Sequence, residues 1–133
     1  MAGQKISARG SMNINRTKLY YDQLENKELC DCASCKNYYH EIKSTYPNLA
    51  AYLSTLGIDI EKPFEVMPLE PYEGYIEYSG VQYIVFGKSS EFKNMTISGV
   101  RIELADSHPT TDIEEEHFVI EIYPIRLKWV NGD

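Results

Sequence analysis

The spacing of apolar residues changes once along this chain, from helical to alternating, and the change falls at a proline-rich joint. Cys35, Tyr38, Tyr39, Ile42 and Tyr46 recur at helical spacing and mark one apolar stripe. Pro47 ends that helix, because the residue before a proline is pushed out of the α region. Pro47 also suits the first turn of a new helix, with Thr45 or Tyr46 near its N-cap. There Leu49, Tyr52, Leu53 and Leu56 follow the i, i+3, i+4, i+7 rule of a helix with one buried face. Gly57 supplies the left-handed residue that commonly closes a helix. Pro63, Pro68 and Pro71 then demand an extended connector, with room for an edge strand over 64–67.

Beyond the joint the period is two. Residues 74–78 and 81–86 flank Ser79-Gly80, which reads as a tight hairpin. In 95–104, Val100, Ile102 and Leu104 alternate with Arg101 and Glu103. The last strand points Phe118, Ile120 and Ile122 one way, then Ile125, Leu127 and Trp129 after Pro124. That one-residue slip predicts a bulge or bend at the proline. The expected fold class is α+β: an N-terminal helical pair (about 35–56) followed by an antiparallel β-meander of about four strands.

The 133 residues suit one domain, taken as residues 18–133. Residues 1–17 are basic, free of acids and rich in small residues over 1–11, and read as a disordered leader or a cloning remnant. Residues 18–29, with Tyr20, Tyr21 and Leu24, read as a short helix or an ordered arm. The net charge is −7, and residues 19–133 carry nine basic against twenty acidic side chains. Such a surface repels phosphates, which argues against nucleic acid and against anionic membranes as partners. No apolar run approaches the length of a membrane span. With no export signal in view and an odd set of clustered cysteines, a reducing cytoplasm is the expected location.

The three cysteines, Cys30, Cys32 and Cys35, fall within six residues. Three readings follow. Cys32-x-x-Cys35 has the spacing of a zinc half-site, Cys30 adds a third thiolate, and His40 would complete a Cys₃His set. On one continuous helix, however, positions 35 and 40 point about 140° apart, so His40 serves only if the helix starts after the cysteines or is distorted. Alternatively, Cys35 is a small buried hydrophobe on the stripe it shares with Tyr38 and Ile42. Thirdly, a Cys-x-x-Cys at a helix N-terminus can cycle through a disulfide.

Cys32-Ala33-Ser34-Cys35-Lys36-Asn37-Tyr38-Tyr39, then Tyr46-Pro47 and Leu56-Gly57-Ile58-Asp59-Ile60-Glu61-Lys62-Pro63, resembles a loose group of small uncharacterised bacterial proteins. The resemblance spans roughly residues 30–65. It implies a bacterial cytoplasmic protein and carries over no activity.

A second constellation combines Asp106, His108, Asp112 and His117, which would crowd one sheet end if 96–105 and 117–123 pair. Imidazoles with carboxylates suit a metal or acid–base work, whereas a polar loop end holds such residues without chemistry. Eleven tyrosines exceed expectation. Tyr72, Tyr75, Tyr78 and Tyr83 crowd the first strands, where they either pack across strands or serve an interface. The sequence therefore favours a non-enzymatic protein-binding module that contacts a protein partner or a second copy. The first alternative is a small zinc domain held by Cys30, Cys32 and Cys35. The second is a metal-dependent or acid–base enzyme using Asp106, His108 and His117.

Overall fold

The computed structural model describes residues 12–130. Three helices, α1 (Ile14–Gln23), α2 (Ala33–Thr45) and α3 (Pro47–Thr55), precede six strands among these residues. The strands are β1 (Glu65–Pro68), β2 (Tyr75–Phe86), β3 (Met95–Ile97), β4 (Val100–Leu104), β5 (His117–Tyr123) and β6 (Ile125–Lys128). They pair antiparallel in the order β1-β2-β5-β4-β3, and β6 also pairs with β2. The fold is thus α+β with helices first, as the change of period predicts. The expected helical pair matches α2 and α3, joined at Tyr46-Pro47.

Part of the leader assignment differs. Residues 1–11 lie outside the described residues, but Met12 bridges Gly87 and α1 starts at Ile14 with Asn13 as its cap. Residues 12–17 therefore belong to the fold. The buried residues of α1 are Thr17 and Tyr21, one turn apart. No broad apolar stripe announces this helix, because much of its docking is polar.

The strand reading needs a second correction. Ser79-Gly80 is no hairpin turn but the middle of β2. Tyr78 pairs with Ile125 and Val81 with Ile122. Ser79-Gly80 therefore lies opposite Tyr123-Pro124. Both chains slip in phase at the same level, so the buried face runs on unbroken through Ile76, Tyr78, Val81 and Tyr83. The slip expected at Pro124 is present, and β2 mirrors it. Gly80 permits a close approach: a Cβ there would lie 2.7 Å from Glu121 Oε2 and 2.8 Å from Met67 Cε.

One sheet face carries the main core, where Tyr38, Ile42, Leu49 and Leu53 from the helices meet Tyr83, Ile102, Ile120, Ile122 and Leu127. A smaller cluster of Ile84, Phe86 and Val119 packs separately with Tyr20 and Phe64. Inside the main core Tyr83 donates to the Ile60 carbonyl at 2.6 Å, so the Tyr38 hydroxyl, 2.6 Å from that of Tyr83, must be the donor to it.

Helical side chains finish two strand edges. Beyond the end of β1, the Tyr21 hydroxyl accepts from Ile84 N–H (2.9 Å) and donates to Ile84 C=O (2.8 Å). Thr17 Oγ1 accepts from Phe86 N–H (2.9 Å). On β6, the Tyr46 hydroxyl bridges N–H and C=O of Arg126 in the same manner. Buried Asn37 accepts from Val130 N–H and donates to Lys128 C=O, both at 2.8 Å. Unpaired edges invite intermolecular pairing. At Ile84, Phe86, Arg126, Lys128 and Val130 the edge groups are satisfied from within the chain.

Gly57 meets two demands at once. Its φ is +87°, and a Cβ would sit 2.6 Å from Ile14 O and 2.9 Å from Lys18 N of α1. Gly99, at φ +80°, has nothing within 4 Å. Alanine at Gly99 should cost the left-handed strain alone, about 1–2 kcal/mol. Alanine at Gly57 should cost about 1 kcal/mol more than that, since α1 must also shift. Urea unfolding of the two variants measures the difference, and equal costs would mean that α1 yields freely.

Candidate metal centre

Among the described residues, one group of three or more His, Cys, Asp or Glu side chains converges. It is Cys30, Cys32 and Cys35, whose sulfurs all lie within 4.8 Å of one another. Local structure explains the convergence. Cys32 is the N-cap of α2 and Cys35 lies in its first turn, a spacing that returns the chain to the same side of the helix. Cys30 enters from the preceding segment, where its carbonyl accepts from the Tyr39 hydroxyl at 2.8 Å. Tyr78 of β2 donates to the Ser34 carbonyl at 2.6 Å. The sheet and α2 thus hold both sides of the cysteine loop.

The three thiols differ. Cys30 and Cys32 are exposed, and Cys35 is buried. The Ser34 hydroxyl, 3.5 Å from Cys32 Sγ, is the largest influence on the Cys32 thiol; with the Cys35 backbone N–H and the neighbouring thiols it lowers the pKa to about 7 against the opposing effect of partial burial. Burial pushes the Cys35 thiol upward, and its two sulfur neighbours add to that. Iodoacetamide labelling of metal-free protein should therefore modify Cys32 with a half-maximal rate near pH 7. Ser34→Ala should move that midpoint upward. An unmoved midpoint would remove the serine from the account.

His40 does not join the sulfurs. The helix includes both Cys35 and His40, so the condition that would have let His40 turn toward the cysteines is not met. Its Nδ1 lies instead 2.9 Å from Glu41 Oε2. The buried-hydrophobe reading holds in position for Cys35, at 5% exposure, but not for its exposed neighbours.

The second constellation separates into different surroundings. β4 and β5 do pair, yet His108 turns its Nδ1 to the Pro109 carbonyl and its ring toward Phe64. His117 bonds the Thr111 hydroxyl (2.7 Å) and the Glu115 carbonyl (2.7 Å), so both ring nitrogens are engaged locally. Asp106 lines a different cleft, with Glu103, Glu121 and Gln82. Sequence reasoning missed that grouping, because cross-strand register decides it: Gln82 pairs with Glu121 and Glu121 with Glu103.

The tyrosine surplus divides. Tyr21, Tyr38, Tyr78 and Tyr83 are core residues with bonded hydroxyls, whereas Tyr72 is 76% exposed. Tyr75 is covered in part by the Arg126 guanidinium, 3.7 Å from its ring centre. No described helix is long and apolar enough to cross a membrane. No family model, curated protein or solved structure matches the chain.

Proposed function

We propose that Cys30, Cys32 and Cys35 bind one zinc-class ion as thiolates and that the protein is a non-enzymatic metal-binding domain. The observation that supports this is the convergence of three sulfurs within 4.8 Å of one another at a helix start. Thiolate sulfur suits zinc and other soft ions, and a reducing cytoplasm would keep the three thiols available. The test is native mass spectrometry of protein purified in metal-free buffer and titrated with zinc. One zinc per chain is expected, and none for the Cys32→Ser/Cys35→Ser double variant. Equal binding by both would defeat the reading.

Metal removal should not unfold the domain. Small zinc modules need the ion because they lack a core, but here Tyr38, Leu49, Leu53 and Ile120 belong to a large core cluster that includes none of the three cysteines. A chelator should leave the far-ultraviolet circular dichroism unchanged and lower Tm only by the linkage of binding to folding. Loss of secondary structure on chelation would show that the ion organises the fold.

A second reading, contact with a protein, draws on Leu69, Tyr72 and Tyr75, which are exposed beside Glu70 and Glu77 at one end of the sheet. Arg126 lines the same hollow and pairs with Glu77, so the apolar surface is edged by both signs of charge and suits a second copy of the chain. Sedimentation of the parent and of Leu69→Asp/Tyr72→Asp tests the self-association arm: a dimer converted to monomer supports it.

A further inference from the structure

Resting on the proposed metal centre, we infer that it is an open site whose remaining coordination position takes the thiol of a short peptide bound in the adjoining cleft. The first ground is the ligand count. Zinc takes four ligands, and sites with three protein ligands keep one position for an exogenous group. Three sulfurs converge, and neither His40 nor any other described His, Asp or Glu joins them.

The second ground is the cleft. Cys30 lies in the wall of a space of about 380 Å³, together with Leu29, Tyr39, Lys36, Lys62 and Glu61. That volume lies within the range of small-ligand sites. The wall is braced. Tyr39 is tied to the Cys30 carbonyl, and Lys62 Nζ donates to the Tyr21 and Leu24 carbonyls at 2.7 and 2.9 Å. On the same side Glu25 and Glu28 close a reciprocal cap around a short 3-10 turn. A preformed cleft loses little entropy on binding.

The lining selects the ligand class. Soft ions favour sulfur as a further donor. Lys36 brings positive charge for a carboxylate, Glu61 and Asp31 bring negative charge for an ammonium, and Leu29 and Tyr39 give an apolar wall. A short thiol peptide with free termini presents all of these groups. On binding, its sulfur forms the coordinate bond, its thiol proton passes to solvent, and any water on the ion leaves. No electrons are transferred.

The probes are reduced glutathione and S-methylglutathione, added anaerobically to the zinc-loaded full chain and read by native mass spectrometry. The expected result is one zinc, then one glutathione on the zinc-bearing species alone, with no comparable adduct from the S-methyl compound. Lys36→Glu should weaken glutathione binding to the zinc-bearing fraction by about tenfold or more. Zinc retained without a glutathione adduct, equal binding of both probes, or glutathione stripping the zinc would each overturn the inference while leaving the metal reading in place. Failure to bind zinc at all would remove the metal reading itself.

Discussion

Tyr21→Phe is expected to destabilise the domain by about 2–6 kcal/mol, although it removes a single oxygen. That oxygen serves both polar groups of Ile84: it accepts from the N–H at 2.9 Å and donates to the C=O at 2.8 Å. Tyr21 is 2% exposed and Ile84 is fully buried. The variant would leave two buried backbone groups unpaired, at about 1–3 kcal/mol each. Burial also holds the Tyr21 phenol well above its ordinary pKa, so it remains a donor across the physiological range. Thr17→Val should orphan only Phe86 N–H, which Thr17 accepts, and should cost about 1–3 kcal/mol. Chemical denaturation gives the magnitudes. Hydrogen exchange gives the location: the Ile84 amide should exchange faster in Tyr21→Phe, and the Phe86 amide in Thr17→Val. Unchanged protection would mean that water replaces the side chain without loss.

Leu53→Ala should cost about 2–5 kcal/mol. Leu53 is fully buried on α3 beside Leu49 and within the cluster that includes Tyr38, Ile42 and the inward residues of β2 and β5. Truncation loses the transfer free energy of the side chain and leaves a cavity that close-packed neighbours fill only in part. Ala51 on the exposed side of the same helix offers the contrast: Ala51→Ser should stay within about 0.5 kcal/mol. A cost near zero for Leu53→Ala would show that α3 is not docked as described.

The readings that held rest on local chemistry. The stripe Leu49, Tyr52, Leu53 and Leu56 with Pro47 before it and Gly57 after it marks the ends and the buried face of a helix within a few residues of sequence. The phase slip at Pro124 is visible because residues on both sides of it alternate strictly. The readings that changed depend on partners distant in sequence. Ser79-Gly80 has the composition of a turn, but β1 on one side and β5 and β6 on the other hold it extended. The helix α1 buries a threonine and a tyrosine that bond a strand edge more than sixty residues away. No hydrophobic count along 14–23 registers that.

The candidate site divides in the same way. The spacing of Cys32 and Cys35 by itself determined that two sulfurs could meet, because a cap and a first-turn position lie close on any helix, with Cys30 two residues ahead of them. Only the tertiary structure decided that α2 begins there, that Tyr39 and Tyr78 brace the cysteine loop, and that a cleft adjoins it. It also decided that His40 stays away and that Asp106, His108 and His117 go to separate surroundings. The physical reason is range. Backbone preference and periodicity act over a few residues, whereas the direction of a side chain depends on which strand or helix packs across from it.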